Sequence, residues 1–143
     1  MAFQMDVQEL ETWMGQIFPQ VAEDFRVERL EGDETDLRLV VGERHLRPGG
    51  TVSGPSMFAL ADCAMYAAIL ARLGKVALAV TTNCSIDFMR KPAANTDLIG
   101  TARILKMGRA LVVGDVLIYS EGDARPVARA SLTYSIPPAD QAR

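Results

Sequence analysis

The residue types that could do chemistry concentrate around one acidic side chain. Asp62 is the only charged residue between Ser56 and Ala71, in a run that is otherwise apolar or small. A carboxylate in such a run is costly to bury unless it is paired, hydrogen-bonded or used in a reaction. Asp62 is therefore a candidate general base or nucleophile. The alternative is a structural carboxylate that accepts hydrogen bonds from a helix end across a dimer interface.

The residues around Asp62 predict a buried helix. His45 to Gly54 is rich in glycine and proline and reads as a loop with constrained turns. Ser53 or Gly54 can cap a helix that runs from about residue 55 to 73, and Gly74 can end it. Because this helix is apolar nearly all round, it is expected to lie inside the fold.

The remaining elements predict a sheet around that helix. Asp6 and Glu9 form a capping-box pattern for a helix over residues 6–18. Alternating apolar and polar residues predict strands at 25–30, 35–42, 75–89, 98–106, 110–120 and 127–136. In the strand over 75–89, alternation places Thr81, Asn83 and Ser85 on one face and Cys84 and Ile86 on the other. This order predicts an α+β fold in which an antiparallel sheet wraps one long central helix.

Length and composition set limits on function. The 143 residues are expected to form a single domain over 1–143, with a core at about 25–136 and a flexible tail at 137–143. A net charge of −3 without basic blocks argues against a nucleic-acid partner. The absence of a signal-like start and of a full apolar span predicts a cytoplasmic protein outside the membrane. Two cysteines, at 63 and 84, and one histidine predict no metal site, and the cysteines read as small core residues.

The loop and helix together carry a recognisable motif. His45-Leu46-Arg47-Pro48-Gly49-Gly50, then Ser53-Gly54-Pro55 and Leu60-Ala61-Asp62, resemble the motif of PaaI-like acyl-CoA thioesterases of the hotdog fold. The stretch Thr82 to Pro92, TNCSIDFMRKP, is similar to that family's long strand and the turn after it. The resemblance covers roughly residues 25–136.

The resemblance implies hydrolysis of an acyl-CoA by a homodimer or homotetramer without a metal or redox cofactor. Asp62 would act as nucleophile or general base, the Gly54 amide would polarise the thioester carbonyl, and Thr81 would help to position water. Gly54 and Asp62 are about 12 Å apart along one helix, so one helix cannot supply both groups to one carbonyl. In the family, two subunits pair their long strands, and each site takes the aspartate from one and the glycine amide from the other.

Three departures from the motif concern substrate contacts. Arg47 stands where the family usually has asparagine, Ser53 where it has histidine, and Pro55 where it has a second glycine. Arg47 could pair with Asp62, bind a substrate carboxylate or phosphate, or remain solvated. Ser53 could cap the helix or contact substrate. The predicted substrate contacts are Arg47, Ser53, Gly50 and His45, although in the family the residue at the position of His45 more often fixes the loop.

Four basic residues at turns are candidates for the phosphates of CoA: Arg90, Lys91, Lys106 and Arg109. Solvated turn charges are the alternative. A hotdog protein that binds an acyl ligand without turnover is the second functional hypothesis. Hydratase chemistry on an enoyl-CoA would require a close Asp/His pair, which the sequence does not offer.

Overall fold

The structure, a computed structural model, describes residues 2–138. The expectation for a flexible tail at 137–143 therefore lies largely outside the described residues. Along the chain the elements are α1 (Val7–Ile17), a 3₁₀ turn (Pro19–Val21), β1 (Phe25–Glu31), β2 (Glu34–Leu39), a second 3₁₀ turn (Glu43–His45), α2 (Gly54–Leu73), β3 (Val80–Phe88), β4 (Leu98–Met107), β5 (Leu111–Ser120) and β6 (Ala128–Ser135).

The six strands form one antiparallel sheet in the order β1-β2-β4-β5-β6-β3. The sheet curves around α2, and every residue from Ala61 to Arg72 is buried except Asp62, which is half-buried. By length and hydropathy α2 could span a membrane, but 72% of its most apolar window is buried inside the fold. The sheet accounts for the apolar character of the helix, and the predicted α+β hotdog architecture is confirmed.

The helix ends follow the capping residues in the sequence. Asp6 and Glu9 form the expected capping box at the start of α1. Ser53 caps α2 by accepting a hydrogen bond from the Ser56 N–H at 3.2 Å. Helix α2 thus begins at Gly54, one residue before the predicted start, and ends at Leu73; the C-cap is Gly74, whose φ of 84° favours glycine.

Two strands, β2 and β3, fall short of their predicted bounds by three or more residues at one end. β2 ends at Leu39 because the Val41 N–H donates to the Asp97 carboxylate, at 2.9 Å, instead of continuing the ladder. The strand predicted over 75–89 begins only at Val80. Residues 75–79 form turns, closed by bonds from the Val76 N–H to Gly74 O and from the Ala79 N–H to Val76 O.

The predicted side of the sheet was also wrong for Thr81 on β3. A β-bulge lies between Thr81 and Asn83, so Thr82 has no partner in the β6 register. Thr81 pairs with Tyr134, which is buried beneath α2, and so lies on the helix side of the sheet rather than with Asn83. Because side chains alternate with a period of two, one extra residue in a strand reverses the side of the sheet to which all preceding side chains point.

Gly114 on β5 lies close under α2. A methyl group added there would be 2.4 Å from Met65 Cε and 2.6 Å from the backbone oxygen of Arg103. We expect Gly114→Ala to lower the free energy of unfolding by about 1–3 kcal/mol, because the backbone oxygen cannot move aside. Gly15→Ala, in α1 with open space around it, is the matched control and should raise stability by about 0.5–1 kcal/mol. Urea unfolding of the two variants measures both; a Gly114→Ala protein as stable as the parent would contradict the close approach.

Candidate active site

Asp62 is held by two hydroxyl groups from the sheet. Its Oδ1 accepts hydrogen bonds from Thr81 Oγ1 at 2.5 Å and from the Tyr134 hydroxyl at 2.7 Å. The Tyr134 hydroxyl also lies 2.9 Å from the backbone oxygen of Asp62. No described residue donates a hydrogen bond to Oδ2. One carboxylate oxygen is therefore fixed by the protein, and the other is available to water or to a substrate.

The fold brings these three residues together from distant parts of the sequence. Along β6, Ala128, Ala130, Leu132 and Tyr134 are buried at every second position. The β-bulge turns Thr81 to the same side, directly opposite Tyr134. Since both strands pack beneath α2, their hydroxyls meet the one carboxylate on that stretch of the helix.

Tyr134 was not among the site residues predicted from the sequence. A signal was present, because the period-two pattern of β6 places this tyrosine in the core, where a tyrosine hydroxyl usually requires a partner. The sole carboxylate of the buried helix was the natural candidate for that partner.

A pocket of about 510 Å³ opens in front of Asp62. We call it the Asp62 pocket; it is lined by Ile17, Phe18, Gln20, Asp62, Cys63, Tyr66, Ala77, Ala79, Val80, Thr81 and Tyr134. The Tyr66 ring stacks on Tyr134 with 6.3 Å between centroids and forms a T-shaped pair with Phe18 at 6.2 Å. Apart from its carboxylate, the pocket is thus mostly apolar and aromatic.

The hydroxyl and thiol groups beside Asp62 stay protonated at neutral pH. Burial, reinforced by the negative charge of Asp62, raises the pKa of Tyr134 far above its usual range. The same two causes raise the pKa of Cys63 to about 12. Tyr134 is therefore a hydrogen-bond donor, and Cys63 is a neutral thiol rather than a thiolate nucleophile.

Gly54 lies in a different pocket, of about 400 Å³. We call it the basic pocket; it is lined by Arg47, Thr51, Val52, Gly54, Met57, Phe88, Met89, Arg90, Lys91 and Pro92. Gly54 is the first residue of α2, so its N–H has no partner within the helix. The Phe88 ring covers this helix start, 3.3 Å from where a Cβ on Gly54 would be.

The charges of the basic pocket are all positive. Arg47, Arg90 and Lys91 are exposed and line it, and no acidic residue in the described part of the chain does so. Arg90 Nε also donates to Pro126 O at 3.2 Å. Within one chain Arg47 does not reach Asp62, since the two residues line separate pockets.

His45 and Gly50 shape the loop that leads into α2. His45 is buried outside both pockets; its Nδ1 accepts from the Gly42 N–H at 2.8 Å, and its backbone oxygen accepts from the Ser53 N–H. Its Nε2 lies 3.2 Å from Asp24 Oδ1, without the geometry of a hydrogen bond. Gly50 has a φ of 84° in the turn closed by its N–H to Arg47 O. The positions of both residues are those of loop-fixing groups.

The four predicted CoA contacts form two separate groups in one chain. Arg90 and Lys91 follow the end of β3 beside Phe88. Through the pairing of β5 and β6, Lys106 lies level with Asn83, near the opposite end of β3, and Arg109 lies in the adjacent hairpin turn. A single chain therefore presents Arg90 and Lys91, but not Lys106 and Arg109, beside Gly54.

Comparisons with known proteins agree with this architecture. The profile of the family described as Thioesterase superfamily matches residues 49–127, more than half of the chain. The crystal structure of a provisionally assigned thioesterase from Silicibacter sp. TM1040 is 57% identical, covers 96% of each chain and has a TM-score of 0.90. A comparison with curated proteins gave no match.

Two more distant structures are also similar. A point mutant of the phenylacetic acid degradation protein PaaI from Thermus thermophilus is 27% identical, over 83% of this chain and 99% of that one, with a TM-score of 0.70. Thioesterase superfamily member 2 from zebra fish, at 20% identity over 94% of this chain and 100% of that one, shares the fold with a TM-score of 0.81. With the profile match and the 57% identical relative, these likenesses show that the chain belongs to the thioesterase superfamily, with a PaaI-like hotdog fold.

Proposed function

We propose that the protein hydrolyses acyl-CoA thioesters, with Asp62 as the nucleophile or general base and the Gly54 amide as the oxyanion donor. The observation that supports this proposal most directly is the unequal hydrogen bonding of the two Asp62 carboxylate oxygens. Two hydroxyls fix Oδ1, while Oδ2 has no described donor, on a side chain that lines a mostly apolar pocket. An oriented and partly desolvated carboxylate is suited to either role.

The active site is composite, because Asp62 and Gly54 of one chain are too far apart. They are eight residues apart on α2, about 12 Å along its axis, and they line separate pockets. A second copy of the chain can place its Gly54 near the Asp62 of the first. β3 forms an edge of the sheet, and an edge strand presents unpaired backbone groups that can accept another strand.

Antiparallel pairing of two β3 strands would join the two half-sites. If the two-fold axis passes through Ser85, Cys84 lies opposite the partner's Ile86, and beyond the bulge at Thr82 the Thr81 of one subunit lies opposite the partner's Phe88. Thr81 is bonded to Asp62, and Phe88 covers Gly54. Each Asp62 pocket then adjoins the basic pocket of the other subunit, and a homodimer, free or within a homotetramer, contains two equivalent sites.

In the proposed reaction, Oδ2 of Asp62 takes a proton from water as the water oxygen attacks the thioester carbon. The Gly54 N–H and the positive end of the α2 dipole stabilise the oxyanion that forms. The carbon–sulfur bond then breaks, the thiolate of CoA leaves with the proton returned by Asp62, and the carboxylic acid is released. In the nucleophilic variant Oδ2 attacks the thioester carbon, the carbon–sulfur bond breaks, and the CoA thiolate leaves a mixed anhydride. Water then hydrolyses the anhydride to the carboxylic acid and free Asp62, and its second proton neutralises the thiolate.

Asp62→Asn should lower kcat for thiol release by about 10²–10⁴-fold, because the amide is neither a base nor a nucleophile. Asp33→Asn is the matched control, since Asp33 is an exposed carboxylate in the β1–β2 turn. Size-exclusion chromatography and urea unfolding verify that both variants remain folded. Undiminished hydrolysis by Asp62→Asn would contradict the proposed role, whereas acyl-CoA binding without thiol release by the parent would favour the binding-protein alternative.

Tyr134→Phe removes one of the two donors to Asp62 while keeping the ring. A hydrogen bond to a charged group contributes about 1.5–3 kcal/mol, so we expect kcat to fall by about 10–100-fold with KM changed little. Tyr66→Phe is the control, because the Tyr66 hydroxyl lies in the same pocket but donates to Ala77 O at 2.6 Å. Equal kinetics of the two variants would show that Tyr134 does not position the carboxylate.

The composite site can be tested by mixing subunits. Gly54→Pro removes the N–H at a position where α2 tolerates proline, and Gly54→Ala keeps the N–H as its control. Gly54→Pro and Asp62→Asn should each be inactive alone, but co-expressed subunits should recover about a quarter of the parent activity, because half of random dimers contain one intact site of two. A mixture as inactive as its components would contradict sharing of the site.

A further inference from the structure

The two pockets differ in charge in a way that orients a substrate. Three cations line the basic pocket, whereas Asp62 is the only charged residue among the described residues that line the Asp62 pocket. The other side chains there are apolar or neutral. An acyl-CoA has the matching asymmetry, since its nucleotide end carries phosphates and its acyl end need not be charged.

Part of the Asp62 pocket is built by residues that the family profile does not cover. Ile17, Phe18 and Gln20, from the end of α1 and the turn after it, form one wall, and they precede the matched residues 49–127. Ala77 and Ala79, in the turns before β3, line it elsewhere. The shared motif therefore supplies the carboxylate, but the N-terminal segment supplies much of the surface that an acyl group would contact.

The geometry points to a fixed orientation of the substrate, in which the nucleotide end lies in one subunit's basic pocket and an uncharged, apolar acyl group lies in the other subunit's Asp62 pocket, against Phe18 and Tyr66. This inference rests on the proposed function and names its substrate class. It also makes the α1 segment, rather than the loop over residues 45–54, the part of the chain that selects the acyl group.

An acyl group that ends in a carboxylate is excluded by the same surface. Its charge would be placed among Phe18, Tyr66 and Ala77, near the negative charge of Asp62 and without a cation among the described lining residues. An unpaired carboxylate in such surroundings loses its hydration without compensation. The nearby Lys75 does not line the pocket, because its ammonium lies over the Trp13 ring at 4.8 Å.

The test compares two acyl-CoAs of equal chain length, hexanoyl-CoA and adipoyl-CoA, which differ by one terminal carboxylate. We expect kcat/KM to favour hexanoyl-CoA by about 100-fold or more. Gln20→Arg places a cation in the pocket wall and should raise the ratio of kcat/KM for adipoyl-CoA to that for hexanoyl-CoA about tenfold or more. Gln16→Arg, exposed on α1 in the groove beside Trp13 and Lys75, adds the same charge elsewhere and should change neither value.

Phe18 is expected to limit the length of the acyl chain. Phe18→Ala, or Phe18→Leu if the alanine variant does not fold, should raise the ratio of kcat/KM for dodecanoyl-CoA to that for hexanoyl-CoA about tenfold, because the pocket lengthens toward α1. The hexanoyl value reports whether the Asp62 chemistry remains intact in these variants.

The outcomes separate this inference from the proposed function. Equal turnover of hexanoyl-CoA and adipoyl-CoA, or equal effects of the Gln20 and Gln16 variants, would overturn the pocket assignment while leaving thioester hydrolysis in place. If no acyl-CoA released thiol, the proposed function would fail. Equilibrium binding of the two compounds would then still decide the assignment, and equal affinities would overturn it.

Discussion

The structure depends on how one carboxylate is accommodated inside a buried helix. Every neighbour of Asp62 from Ala61 to Arg72 is buried, and a carboxylate in that stretch is tolerable only with hydrogen-bond donors. Thr81 and Tyr134 provide them from two adjacent strands. This requirement constrains the register of β3 on β6 and the bulge at Thr82, because a slip of β3 by one residue would turn the Thr81 hydroxyl away from the helix. The same two bonds leave Oδ2 directed to the substrate side in the proposed mechanism.

The second constraint is the separation of the two ends of α2. The helix start, with Gly54 and its surrounding cations, and the carboxylate two turns later belong to separate pockets of opposite charge. A helix cannot be shortened to join them, so the proposed catalysis requires a second copy. Pairing of two β3 edges can bring the two half-sites together, because Thr81 and Phe88 lie near opposite ends of that strand. The proposed orientation of an acyl-CoA follows from the same separation of charge.

Much of the fold followed from local sequence signals. The capping box of Asp6, the serine cap of α2 and the stop at Gly74 are short-range interactions, and the structure confirms them. The apolar helix and the alternating strands predicted an antiparallel sheet around one central helix, and the resemblance of the loop-helix motif implied the hotdog fold; the structure and its relatives confirm both. The larger errors lie in β3, whose start was placed five residues too early and whose residue Thr81 was assigned to the wrong face. Both errors arose because strict alternation contains no information about the turns before β3 or the bulge within it.

The sequence by itself determined that Asp62 and Gly54 lie on one apolar helix at a fixed separation, because the rise of an α-helix follows from covalent geometry and local hydrogen bonds. It also determined that one carboxylate had to be accommodated in that helix. Only the tertiary structure decided which groups accommodate it, since Tyr134 and Asp62 are 72 positions apart and meet through strand register. The path of the chain after α1 and the same strand register also place Phe18 and Tyr66 in the pocket beside the carboxylate. His45, in contrast, holds a loop outside that pocket.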